Sequence, residues 1–260
     1  MTVTLAGLGE AELLRRLARF APPGQLADDT CTLAADTRQL LVNTDVLVDG
    51  IHFSDRTTSP ADVGWRAVAT NLSDLAASGA VAVDGITVAL VAPGNTPWSW
   101  VEDLYRGIRE ALNYYGGILL GGDCSAGTEK LISVTALGRL GPLRLHRADA
   151  CPGDWLVTSG PHGLSRLGLA LLQGDPTLDG TSALMEALQH QAISQHRRPR
   201  PRLDALTTLI ENKPENMPWR AAGTDSSDGL LAAVQALCNS SDCGAQLTHD
   251  WLPQAEGWPA

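Results

Sequence analysis

Five short stretches set aspartates among small residues: Ala27-Asp28-Asp29, Thr44-Asp45, Leu72-Ser73-Asp74, Gly121-Gly122-Asp123 and Thr224-Asp225-Ser226-Ser227-Asp228-Gly229. Each falls at the expected end of a strand or helix, where a carboxylate can leave the packed element and meet others. Carboxylates gathered in this way suit a hard divalent cation. Magnesium takes oxygen ligands, keeps several waters and joins one or two carboxylates to substrate phosphates. Any one of these aspartates could equally cap a helix or close a turn. It is the set, with Thr44, Ser73 and Ser227 beside it, that points to a nucleotide and metal site.

Other nucleotide-binding chemistries are missing. No GxxxxGK[ST] stretch occurs, and no lysine precedes Lys130 to serve as a protein-kinase phosphate partner. The glycines at 116, 117, 121 and 122 are explained as well by tight turns as by close phosphate approach. His52, after Asp49-Gly50-Ile51, either contacts a substrate or finishes a loop. Arg147 lies beside an expected domain junction, where an arginine is more often a surface or salt-bridge residue. The run from His196 to Arg202 holds four arginines but no interleaved aromatic, so it reads as a solvated helix entry and not a nucleic-acid patch.

Composition narrows the field. The chain has 260 residues, 44% hydrophobic and 18% charged, enough to bury a substantial core in one large or two modest domains. A net charge of -10 repels nucleic acid and anionic membranes, and repels phosphorylated substrates too unless cations offset it. Five scattered cysteines without paired CxxC spacing read as reduced, structural thiols. The expected location is cytoplasmic. The start shows no basic and apolar leader, and the most apolar segment, Ile86 to Pro93, is far below the roughly 20 residues of a membrane span.

The elements that must position the aspartates alternate between helix and strand. Helical periodicity is expected over Gly9 to Phe20, Ala61 to Ser78 and Trp98 to Tyr115. Strands are expected over Gln39 to Val46, Ile86 to Val91, Leu131 to Gly138 and Gly117 to Leu120, the last ending at Gly121-Gly122-Asp123. Turn-rich sequence between 140 and 153 marks a boundary. Beyond it, Trp155 to Ser159 and Cys243 to Leu247 read as strands. Gly163 to Leu172, Ala183 to Gln191, Pro201 to Ile210 and Gly229 to Cys238 read as helices. The fold class is α/β (α+β): an N-terminal mixed-sheet domain with helices, residues 1–145, and a C-terminal α/β domain, residues 146–260, that is expected to be incomplete.

Taken in order, Ala27-Asp-Asp, Asn43-Thr-Asp-Val-Leu-Val-Asp-Gly-Ile-His-Phe53, Asn71-Leu-Ser-Asp-Leu-Ala76, Gly121-Gly-Asp123, Pro152-Gly-Asp-Trp155 and Ser226-Ser-Asp-Gly-Leu230 resemble the thiamine-monophosphate kinase family of the aminoimidazole-ribonucleotide-synthetase-like superfamily. The resemblance spans roughly residues 5 to 253. It implies ATP- and magnesium-dependent phosphorylation of thiamine monophosphate to thiamine diphosphate by direct in-line transfer, in a homodimer that binds neither nucleic acid nor membrane. It further implies that Asp29, Thr44, Asp45, Asp74, Asp123, Asp225 and Asp228 ligate Mg2+. Gly122, Asp123, Arg147 and Ser227 would touch ATP, with Tyr105 near the nucleotide, and His52 would contact thiamine monophosphate. Asp74, Asp123 and Arg147 would carry the transfer.

Two positions depart from the family pattern, Ala27 where glycine is usual and Asn43 where serine or threonine is usual. The family also continues past the position of Pro253 with a helix, an acidic tyrosine-containing segment and closing strands, so a non-catalytic nucleotide-binding remnant is the alternative expectation. A related ATP-dependent synthetase is a second alternative, but selenophosphate synthetase would want a reactive N-terminal cysteine or selenocysteine, and the hydrogenase-maturation dehydratase a C-terminal cysteine. Neither is present.

Overall fold

The computed structural model describes residues 2–178, 186–216, 220–248 and 252–258. Two short helices, α1 (Leu5–Leu8) and α2 (Glu10–Leu17), open the chain, and a 3-10 turn, Ala18–Phe20, carries the helical path to Phe20. An irregular segment leads to β1 (Leu40–Val48). There follow α3 (Pro60–Ala77), β2 (Ala80–Ala92), α4 (Trp98–Tyr115), β3 (Ile118–Ala126) and β4 (Leu131–Leu140). The second half supplies α5 (Leu164–Gln173), α6 (Glu186–Arg197), α7 (Leu203–Glu211) and α8 (Leu230–Ser241).

The four strands form one mixed sheet in the order β1-β4-β2-β3. β4 pairs antiparallel with both β1 and β2, whereas β2 and β3 run parallel. Parallel neighbours need a crossover, and α4 supplies it. Among the described residues, helices α3 and α4 cover one face of the sheet. Ile86, Val88, Leu90, Ile132 and Val134 are buried beneath α3 and α4 together with Leu72 and Leu104.

α3 begins where sequence chemistry dictates: Ser59 accepts a hydrogen bond from the Asp62 amide at 3.2 Å, Pro60 occupies the first turn, and Asp62 faces the positive end of the helix dipole. It packs on α4 through two glycines. A Cβ at Gly64 would lie 2.0 Å from the Leu104 carbonyl oxygen, and one at Gly107 would lie 1.8 Å from that of Ala61. The two helix backbones therefore touch.

Four sequence expectations need correction. Gly121-Gly122-Asp123 lies inside β3 and not after it, because a Cβ at Gly122 would meet the Val88 carbonyl oxygen at 1.9 Å, so glycine lets the neighbouring strand approach. β2 is much longer than expected and absorbs two register shifts against β4. The segments 155–159 and 243–247 are not strands of the sheet; the Ser159 carbonyl accepts from Arg202 instead. The last correction concerns the basic run: α6 reaches Arg197, and residues from His196 to Arg198 grip the first half instead of standing in solvent. Residues 183–185 of the expected helix lie outside the described residues.

A small second core joins α5 to α6 through Leu164, Leu188 and Ala192, with Ala255 and Trp258 against it. A third joins Leu206 of α7 to Leu143 and Leu145. Among the described residues no helix is long and apolar enough to cross a membrane.

Candidate functional site

Alternation along β1 decides which side chains can meet. Asn43 and Asp45 face α3, whereas Val42, Thr44 and Val46 face the uncovered side of the sheet. Asn43 Nδ2 donates to Asn71 Oδ1 and to Asp74 Oδ2, both at 3.1 Å. Asp45 bonds to Thr70 one helical turn earlier. On α3, Asp62, Arg66, Thr70 and Asp74 recur every fourth residue and so share one stripe along the helix.

The second half closes the group. Asp225 comes near enough to raise both Asp45 and Asp74, and Arg147 Nη2 stands 3.6 Å from Asp225 Oδ1. Burial is the main cause pushing the Asp74 carboxyl up to about 6, and repulsion from Asp225 and Asp45 adds to it, while the Asn43 hydrogen bond and Arg147 pull it back. Asp45 is raised for the same first reason, burial. Three carboxylates thus share a space that holds too little positive charge for them.

His52 stands beside this group and interacts with Asp45. It is exposed, in a turn closed by its own amide on the Val48 carbonyl at 2.9 Å. The Val48 amide donates to His52 Nδ1 at 3.1 Å, so the neutral ring carries its proton on Nε2 and offers a donor outward. Both ends of the turn are pinned by Lys130, whose Nζ lies 2.9 Å from Asp49 and 2.7 Å from Asp55, above the Trp100 ring. Trp100 Nε1 donates to the other Asp55 oxygen at 3.0 Å.

The remaining expected site residues lie elsewhere. Thr44 bonds to Thr135 across the open face, at 2.8 Å, and Asp123 shares that face on the edge strand β3. Asp29 is exposed, its amide bonded to Asp28 Oδ1, and Gly122, Ser227 and Asp228 are exposed as well. Among the described residues no hydrogen bond or ion pair joins Asp29, Asp123 or Asp228 to the Asp45, Asp74 and Asp225 group. Tyr105 is 3% exposed, packed on Phe20 and bonded to Cys124, so it is a core residue here and presents no surface to a nucleotide. Thr70 was not foreseen, although its place four residues before Asp74 was a usable signal. Arg66 and Lys130 gave none, because their partners are distant in sequence.

The donor set fits a hard cation: all oxygen, half-buried, and short of compensating charge. Asn43 Oδ1 adds a buried oxygen without a hydrogen-bond partner. Among the described residues no three His, Cys, Asp or Glu side chains are gathered tightly enough to hold a metal ion by themselves. Substrate phosphates would have to complete any coordination shell, as they commonly do for magnesium.

Comparison with known proteins places this geometry. The family described as AIR synthase related protein, N-terminal domain, matches residues 27–140. A thiamine-monophosphate kinase of Prochlorococcus marinus is 54% identical over 256 residues, which is 98% of this chain and 77% of that protein. Among solved structures, AaThiL complexed with AMPPCP and TMP has a TM-score of 0.73 at 30% identity, covering 99% of this chain and 78% of that one. The thiamine-monophosphate kinase of Stenotrophomonas maltophilia K279a has a TM-score of 0.76 at 31% identity, covering 94% and 75%.

Proposed function

The chain belongs to the thiamine-monophosphate kinase family, and on that premise we propose that it transfers the γ-phosphoryl group of ATP to thiamine monophosphate, giving thiamine diphosphate and ADP. The observation that carries this reading at the level of residues is the Asp45, Asp74 and Asp225 group beside His52 and Arg147. It is a place built for cationic charge and phosphate, next to an exposed hydrogen-bond donor.

No dedicated base is needed. A phosphate monoester loses its second proton near pH ~6 and is largely an ionised nucleophile at neutral pH. The obstacle is repulsion. Two doubly charged phosphates at about 4 Å oppose each other by roughly 16 kcal/mol at an effective dielectric of about 20. Asp45, Asp74 and Asp225 would hold Mg2+, which would supply the neutralisation. Thr44 and Asp123 on the open face, with exposed Asp29 and Asp228, would hold further Mg2+ apart from that group. Arg147 pairs with developing phosphate charge, Gly122 and Ser227 approach ATP, and His52 donates from Nε2 to thiamine monophosphate.

The reading includes a homodimer. Its support is the uncovered face of the sheet, where Leu40, Val42 and Val46 are 44%, 58% and 41% exposed in a row along edge strand β1. It also includes two domains, residues 1–145 and 146–260, supported by the separate core of α5 and α6, and a cytoplasmic site of action. Stereochemistry tests the transfer step: ATP made chiral at its γ-phosphorus should give thiamine diphosphate with inverted configuration. Retention would mean a phosphorylated enzyme intermediate and would remove direct transfer.

A further inference from the structure

We propose that Arg66 is a positioning residue for this reaction: it ties the His52 backbone to the C-terminal turn of α6, so that the second half of the chain sets where the substrate turn stands. The inference rests on the reading of His52 as a contact to thiamine monophosphate.

Arg66 is 8% exposed, and among the described residues it has no carboxylate at ion-pair distance. Asp62, one turn before it on the same stripe of α3, is engaged by Arg198 instead. A buried guanidinium without an anion is costly unless acceptors are placed for it. Two are: Arg66 Nη1 donates to the His52 carbonyl at 2.8 Å, and Nη2 donates to the carbonyl of His196.

These acceptors are specific in kind. The His196 carbonyl lies in the last turn of α6, where carbonyls lack an intrahelical partner and the helix dipole is negative, so a buried cation is favoured there. The His52 carbonyl belongs to the turn whose ends Lys130 already fixes. Arg66, on α3 of the same half, therefore links the middle of that turn to α6 in the other half of the chain.

The surrounding contacts hold α6 in place to make this tie. Arg197 Nε donates to the Thr57 carbonyl at 3.0 Å, Trp65 Nε1 donates to the Pro199 carbonyl at 3.0 Å, and Arg198 reaches Glu110 at 2.8 Å. The basic run is thus a latch across the two halves. A planar fork can bridge two carbonyls on different elements, whereas an ammonium serves them only as a point charge.

The test is steady-state kinetics on Arg66→Met, His52→Ala and the double variant. Arg66→Met should raise KM for thiamine monophosphate about tenfold while KM for ATP moves less than about twofold. In the His52→Ala background the same change should add less than about twofold, because its effect passes through a side chain already removed. Arg66→Lys should leave KM more than about threefold above the parent, because an ammonium does not span both carbonyls, and full recovery would overturn the bridging role. If Arg66→Met fails to fold, Arg66→Gln is read in the same way. Equal rises in both KM values, or a full multiplicative effect on the His52→Ala background, overturn the role of Arg66 alone. An unchanged KM for thiamine monophosphate in His52→Ala overturns the reading of His52 and this inference with it.

Discussion

Asn43 donates one amide group to both Asn71 and Asp74, each at 3.1 Å, and so joins β1 to α3 at the point where the carboxylates crowd together. Its hydrogen bond favours the ionised form of Asp74 against burial and two neighbouring carboxylates. The residue that departs from the family's usual serine or threonine therefore has a definite task in this chain.

Asp74→Asn should separate function from stability. Removing the central carboxylate relieves repulsion with Asp45 and Asp225. The ligand-free protein should be more stable by on the order of 1 kcal/mol after solvent screening. Turnover should fall by about 100-fold or more. Melting curves without metal, read beside kcat, check both; a variant that is active, or that melts lower than the parent, contradicts the electrostatic assignment.

Asn43→Ala deletes both hydrogen bonds and leaves Asn71 and Asp74 to find other partners. A loss of about 1–2 kcal/mol is expected in urea unfolding. An unchanged midpoint would mean that the amide contributes nothing to the β1 and α3 contact.

Gly107→Ala should be among the most damaging substitutions in the chain. Its Cβ would sit 1.8 Å from the Ala61 carbonyl oxygen, backbone against backbone, and no side chain can swing away to make room. The expected cost is about 3 kcal/mol or more, read as a lowered urea midpoint or loss of soluble protein. Gly116→Ala meets no neighbour but imposes a side chain at φ 96°, so it should cost less.

His196 gives a pH dependence of stability. Burial, with Arg66 and Arg197 adding, lowers its pKa from 6.5 to about 4. Below pH 6.5 the unfolded chain takes up the proton and the folded chain does not, so the unfolded state binds more protons and stability decreases as the pH is lowered. The contribution is fully present above 6.5 and is lost progressively towards pH about 4. His196→Asn should flatten the stability curve within that window; an unaltered slope would place the titration elsewhere.

Much of this was legible in the sequence because its signals were local. Trp98–Tyr115 follows from periodicity closed by Gly116 and Gly117, and α3 from Ser59-Pro60 with its apolar face. Readings failed where the cause was distant. The glycines of β3 looked like a turn because nothing near them shows that β2 passes within reach. The run from His196 looked solvated because Thr57, Asp62, Trp65 and Arg66, which it grips, lie about 130–140 residues earlier. The aspartate list pooled residues that the pleat then divided, Asp45 to the helix face and Thr44 to the open one. Ala27 stands where glycine is usual, yet its backbone needs no positive φ, and so it is tolerated.

The most direct measurement is thiamine diphosphate formation by the purified 260-residue chain, supplied with thiamine monophosphate and ATP, with and without magnesium. Equimolar thiamine diphosphate and ADP, formed only when the metal is present, is the expected result. ATP consumed without thiamine diphosphate, or product formed equally well in a chelator, would contradict the assignment of this carboxylate group to metal-dependent phosphoryl transfer.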